Sequence, residues 1–251
     1  MLKFEICIDS VISGENADKA GACRVELCDN LVEGGTTPSA AMIELVKSRI
    51  KTPVMVMIRP RGGDFCYDED EFWIMKRDIE LCKQWGVYGV VFGILTEDGF
   101  VDVPRCKELV ELAKPMKVTF HRAFDMANDP YRALEDVISI GGIERILTSG
   151  QEKSVLEGSE CIAELVKRAG DRIIIMPGGG VTERNIQRIL RLTNVQEIHI
   201  SASSSRPSQM VYRNPNCSMG FTLSSPEYSI KIASQERIQS MMQHASHQAN
   251  E

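Results

Sequence analysis

Among its eight cysteines (Cys7, Cys23, Cys28, Cys66, Cys82, Cys106, Cys161 and Cys217) the chain has no C-x-x-C pair and no finger-like spacing. That excludes the common dithiol redox motif and the usual structural zinc sites. It has no run of basic residues. With a formal net charge of -6 and a pI near 5.4, neither nucleic acid nor an anionic membrane surface is an expected partner. No apolar stretch is long enough to span a membrane. The first strand is expected to start by Phe4, which leaves no room for a signal peptide. Low-complexity segments and a second domain are also missing. The expectation is a cytoplasmic protein with reduced thiols, in which Cys82, Cys106 and Cys161 serve as small buried hydrophobes within helices.

What the chain does have is a rhythm. Short hydrophobic runs centred near Ile6, Leu27, Met55, Val91, Val118, Ile146, Ile174 and Ile198 are each followed by a helix-like segment. This is the pattern of an α/β fold: a single (β/α)8 TIM barrel over residues 1–243, with a frayed tail at 244–251. Start and stop signals mark the helices. Residues 13–21 form a short first one. Thr37 caps the second, with Pro38 in its first turn and Met42, Leu45 and Val46 on one side. Asp68 and Glu71 make a capping box for a helix ending at Gly86. Asp102 caps the next, Asp129-Pro130 opens the fifth, Ser154 with Glu157 the sixth, and Thr182 the seventh. A long loop follows strand eight, over 203–226. Its Met210, Val211, Tyr212, Met219 and Phe221 suggest an ordered lid. A C-terminal helix is expected from about Glu227 to Gln243.

Several strands carry charge where a barrel interior should be apolar. In FEICID, Phe4, Ile6 and Ile8 alternate with Glu5, Cys7 and Asp9; in RVELC, Val25 and Leu27 alternate with Arg24, Glu26 and Cys28. Strand faces alternate with period two and the outer face must meet the helices, so the polar set should point inward. Buried charge is costly unless paired, so a polar interior usually has a use.

Barrel chemistry sits at the carboxyl ends of the strands. There the triple glycine Gly178, Gly179 and Gly180, ahead of a helix, and Ser201 after strand eight are candidate anion donors; the alternative is a tight turn that needs glycine for its dihedrals. Arg59 and Arg61 are candidates for gripping a carboxylate or phosphate. Arg59 could instead neutralise Glu26 or Glu5 in an ion network. His121 and His199, at strand ends beside carboxylates, are acid/base candidates, with metal ligation a further option for His199. Cys7 and Cys28 lie on the same face of adjacent strands, near inward Met55 and Met57. Such thiols suit a soft ion such as Cu(I), or are simply two small buried hydrophobes.

Six ordered motifs carry a resemblance: ELCDNLVEGGTTPS (26–39), MIRPRGGDFCY (57–67), YGVVFGILTEDGFVD (88–102), VTFHRAFD (118–125), RILTSG (145–150) and IIIMPGGGV (173–181). Together they closely resemble the CutC copper-homeostasis family over residues 3–205, and more weakly through MVYRNPNCSMG (210–220). The resemblance implies a cytoplasmic barrel, often a homo-oligomer, associated with copper. By motif, the family's Cu(I)-binding cysteines correspond to Cys7 and Cys28. No organic cofactor is implied. Copper handling does not call for paired arginines, a polar mouth or a triple-glycine turn, and the chain lacks the Met-rich loop of copper carriers. The second expectation is therefore an isomerase, lyase or hydrolase acting on a small anionic or phosphorylated metabolite. Arg59, Arg61 and the 178–180 turn would hold the anion, and Glu26 and His121, with His199, would move protons. A third expectation makes the mouth and the 203–226 loop a surface for a partner subunit.

Overall fold

The computed structural model describes residues 2–217, 219 and 227–246. Eight parallel strands alternate with helices: β1 (Lys3–Ile8), α1 (Val11–Ala20), β2 (Arg24–Leu27), α2 (Ala40–Arg49), β3 (Val54–Met57), α3 (Glu69–Gln84), β4 (Gly89–Phe92), α4 (Val103–Ala113), β5 (Lys117–Phe120), α5 (Pro130–Ile140), β6 (Arg145–Thr148), α6 (Ser159–Ala169), β7 (Ile174–Pro177), α7 (Ile186–Thr193) and β8 (Glu197–Ile200). Then come β9 (Ser203–Pro207), β10 (Ser229–Ala233) and α8 (Gln235–Ser246). The strands pair in chain order from β1 to β7, and β8 pairs with β1. β7 and β8 meet at a single bridge, Gly178 opposite His199, which brings the sheet round into a TIM barrel. All eight expected strand centres fall inside these strands.

The alternating stripe decides which way each strand faces. Phe4, Ile6, Ile8, Val25, Leu27, Ile198 and Ile200 are buried in the main core between barrel and helices. Each such side chain contributes about 1.5–3 kcal/mol on burial. A slip of one residue would turn Glu5 and Glu26 into that apolar layer, so the register is firmly set. Inside the barrel, Cys28, Met55, Met57 and Val91 form a separate small cluster against which Cys7 packs.

The helix signals hold for α3, with its full Asp68–Glu71 capping box, for α4 behind Asp102 and for α5 behind Asp129. Three starts differ. Thr37 does not cap α2: it bonds the backbone of Arg59 at the end of β3, and Ser39 caps the helix instead. Leu45 is exposed, and Ile43 and Val46 face the core. Ser154 and Glu157 do bond each other, but in a turn ahead of α6, which begins only at Ser159. The chain must first cross the 149–150 turn, where any Cβ at Gly158 would strike the Ser149 carbonyl. Thr182 likewise opens a turn, and α7 begins at Ile186.

The segment after β8 is where the fold departs most from expectation. Residues 203–207 are strand, paired antiparallel with β10, so the expected helix from Glu227 starts only at Gln235. The SIKIA sequence of β10 alternates with period two, which a helix reading misses. Met210, Val211, Tyr212 and Met219 are exposed and do not pack as a lid; Phe221 lies outside the described residues. α8 runs on through Ser246, beyond the expected end at Gln243, while the rest of the expected tail, 247–251, lies outside the described residues. α8 packs against α1 and α7, burying Ile238 and Met241, and takes the eighth helical place in the ring.

Candidate functional site

The inward stripe is organised in two tiers. In the lower tier Arg24 of β2 bridges Glu5 of β1 and Glu197 of β8. Arg145 of β6 reaches Glu197 at 3.2 Å and the Thr119 hydroxyl at 3.3 Å. All four charged groups are buried, yet each has an opposite charge beside it. Burial opposes ionisation of Glu5, but its hydrogen bond with His199 and the Arg24 charge outweigh that and hold the carboxyl down at about 2. Glu197 is also lowered: the charges of Arg24 and Arg145 overcome its burial.

In the upper tier, at the carboxyl ends of the strands, pairing is incomplete. Cys7, Glu26 and His199 bring a sulfur, a carboxylate oxygen and a ring nitrogen to within 4.8 Å of one another. His199 is held from below by Glu5 at 2.8 Å through Nδ1, which leaves Nε2 facing Glu26 at 3.7 Å. The buried Cys28 thiol stands behind this group, its single S–H shared between Glu26 at 3.5 Å and Cys7. The bond from Cys28 outweighs burial and, with help from His199, brings the Cys7 thiol down to about 6. Cys28 moves the other way: its bond to Cys7, its burial and the Glu26 charge all keep its proton on. Burial lifts Glu26 to about 8 despite the nearby His199. For His199, burial is outweighed by Glu26, Cys7 and Glu5, which favour the imidazolium. The arrangement sets a thiolate beside an imidazolium whose Nε2 becomes a ligand atom only on losing its proton.

These groups line one side of a cavity of about 840 Å³, a size suited to a small molecule. Its other walls include Arg59, Phe65, His121, Arg122, Gly178, Gly179, Gly180 and Ser201. Arg59 does not pair with Glu26 or Glu5. Its guanidinium donates to the carbonyls of Glu33 (2.8 Å), Gly35 (2.9 Å) and Gly63 (2.8 Å), pinning the loops after β2 and β3. Arg61 is not brought to the cavity; it pairs with Glu71 and Asp64 beside α3. The glycine turn lines the cavity without the helix N-terminus expected to follow it, because α7 begins only at Ile186. Arg122, missed in the sequence, approaches Gly179 and is tied to Asp125 at 2.7 Å and to the Ser149 hydroxyl at 2.6 Å. It follows His121 directly, but the 3₁₀ turn Arg122–Met126 that aims it leaves no periodic signal.

Buried side-chain atoms without a hydrogen-bond partner among the described residues include Glu26 Oε1 and His121 Nε2, both on cavity-lining residues. Leaving such a group unmatched costs about 1–3 kcal/mol, and folds rarely tolerate it away from a site of use.

Fold and mouth together define a class: a TIM barrel whose strand ends carry a thiol, an imidazole and a carboxyl around a ligand-sized cavity. Residues 2–204 match the model of the CutC family, and the chain belongs to that family. It is 50% identical over 238 residues (95% of this chain, 87% of the relative) to the copper homeostasis protein cutC homolog of Mus musculus. It is 51% identical over 236 residues (94% of this chain, 97% of the relative) to a family protein CutC of Parabacteroides distasonis. The crystal structure of a CutC protein from Streptococcus agalactiae superposes with a TM-score of 0.73 at 37% identity, covering 79% of this chain and 98% of that one. Phosphoribosyl anthranilate isomerase from Thermotoga maritima, at 12% identity and TM-score 0.55 over 98% of this chain and all 100% of its own, shares the fold alone.

Proposed function

We propose that this protein binds Cu(I) at the upper tier of its barrel in the service of copper homeostasis, the role named for its mammalian relatives. The observation that carries the reading is the meeting of Cys7, His199 and Glu26 within 4.8 Å, with Cys28 hydrogen-bonded to Cys7. The donor set fits the ion: thiolates and imidazole suit soft or borderline metals, and Cu(I) accepts few ligands. Cys7 supplies the thiolate and His199, once its proton is displaced by the ion, the Nε2 nitrogen, its ring oriented by Glu5, as an outer partner commonly orients a ligating histidine. Cys28 joins on losing its proton. Glu26, a hard oxygen donor, is a poor Cu(I) ligand and serves as the acceptor for that thiol. All eight cysteines are free thiols, as such a site requires. Among the described residues no helix is long and apolar enough to cross a membrane.

Anaerobic titration with Cu(I) against a competing chelator tests this. One tightly held equivalent is expected in the wild type. Cys7→Ser/Cys28→Ser should lose at least tenfold in affinity, with His199→Gln intermediate. Binding in the double variant as tight as in the wild type refutes the site.

A further inference from the structure

The geometry points to a second ligand seat in the same cavity: a small organic carboxylate held between Arg59 and the Nε2–H of His121. Two observations carry it. The first is a buried cation without a counterion. Arg59 is 4% exposed, and it forms no ion pair among the described residues. Its neighbours are three backbone carbonyls, the face of Phe65 at 4.8 Å and the Tyr67 hydroxyl. The carbonyls take up N–H groups of the two Nη atoms but supply no negative charge, and Arg59 Nε has no partner among the described residues; in a half-enclosed pocket the cation's charge is felt strongly.

The second is a donor with nothing to donate to. The Ala123 N–H is directed at His121 Nδ1, 3.2 Å away, so Nδ1 is the acceptor and the ring proton sits on Nε2. His121 is 2% exposed, and its Nε2 has no partner among the described residues. The ring is held in place by Phe65, edge-on with centroids 5.0 Å apart. It also relies on the absence of a side chain at Gly93, where a Cβ would come within 2.8 Å of Nδ1. Phe65 touches both Arg59 and His121, so the cation and the donor belong to one wall.

The charge count selects the ligand class. His121 stays neutral, since burial and the Arg59 charge push it down to about 3. The wall therefore presents one positive charge and one neutral donor. Arg122, the other cavity arginine, is already paired with Asp125; Lys231 of β10 acts on Asp9, and Asp29 and Glu33 also line the cavity. A monoanionic carboxylate matches this wall, and a phosphate dianion meets excess negative charge. The seat does not depend on Cys7.

The test uses metal-free wild-type protein at constant ionic strength, titrated with acetate, pyruvate and L-lactate, and with glycerol 3-phosphate as the phosphate arm. Thermal shift and calorimetry report binding, and nitrogen-15 NMR reports the His121 Nε2–H. At least one carboxylate should raise the Tm saturably and move that Nε2–H signal. His121→Phe should weaken it at least tenfold, His121→Gln, which keeps a donor, should recover part of the loss, and Trp73→Ala on the outer surface should leave it unchanged. The proposal is overturned if no carboxylate binds, if only the phosphate ester does, if the Nε2–H signal stays fixed at saturation, or if His121→Phe binds as well as wild type.

Discussion

The two tiers of the barrel interior use the same residue types under the same burial and reach opposite outcomes. Below, Glu5, Arg24, Arg145 and Glu197 neutralise one another across β1, β2, β6 and β8. Above, Glu26 and His121 keep an unmatched atom each, and Arg59 keeps an unmatched charge. The lower tier is a closed circuit that serves the fold; the upper is an open one that a ligand completes. Polarity inside a barrel is therefore not by itself a mark of function. Incomplete pairing is.

The comparison breaks most directly at Arg24. Arg24→Met should destabilise the protein by about 3–5 kcal/mol, because it leaves buried Glu5 with His199 alone and buried Glu197 with only Arg145 and Lys3; equilibrium denaturation measures this. Glu26→Gln in the open tier should leave stability nearly unchanged near pH 4.5 and raise it toward neutral pH by up to about 1.4 kcal/mol per pH unit, because the unfolded chain releases a proton that folded Glu26 keeps. A large loss there would mean that the upper tier is structural as well.

The pH dependence sharpens the contrast further. Folded His121 titrates near 3, while the unfolded chain protonates it near 6.5. Below pH 6.5 the unfolded state thus takes up a proton that the folded state refuses, and stability falls toward acid by up to about 1.4 kcal/mol per pH unit. His121→Phe should remove that slope between pH 6.5 and 4.5, where Glu5 does not yet titrate. Glu26 acts in the opposite sense. Its folded value near 8 means that its contribution is full below about pH 4.5 and is lost as pH rises toward 8, a slope that Glu26→Gln should abolish. Stability profiles of the two variants that tilt the same way relative to wild type would overturn the assignment of these two groups. The smallest expected effect lies outside both tiers: Ser39→Ala should cost about 1 kcal/mol as the true cap of α2, and Thr37→Ala should act on the β3 end instead.

The barrel was legible because period-two alternation survives in its strands, and the same alternation puts Glu5, Cys7, Glu26 and Cys28 on the inner face. Strand ends likewise put His121 and His199 at the mouth. What could not be read was direction. Whether Arg59 turns toward Glu26 or toward the carbonyls of Glu33 and Gly35 depends on the 3₁₀ turn Leu31–Glu33, which no periodicity encodes. The union of Arg24 with Glu197 depends on closure of the barrel between distant strands. The α6 and α7 starts failed because the Ser154–Glu157 pair and Thr182 also suit isolated turns. β10 failed because its five residues alternate too briefly to stand apart from the helical pattern of α8 just beyond them.

The β9–β10 ribbon has a consequence for how this site can change over time. It supplies Ile230, Lys231, Ile232 and Ala233 to one wall of the cavity. It is moored by Ser13 and Asn16 of α1 to Ala233 and by Arg237 of α8 to Ser203. None of its residues belongs to the eight-stranded sheet. Substitutions in this appendage can resize or recharge the opening while the thiols, the imidazoles and the salt-bridged floor stay as they are. The barrel carries the chemistry, and the ribbon sets what reaches it.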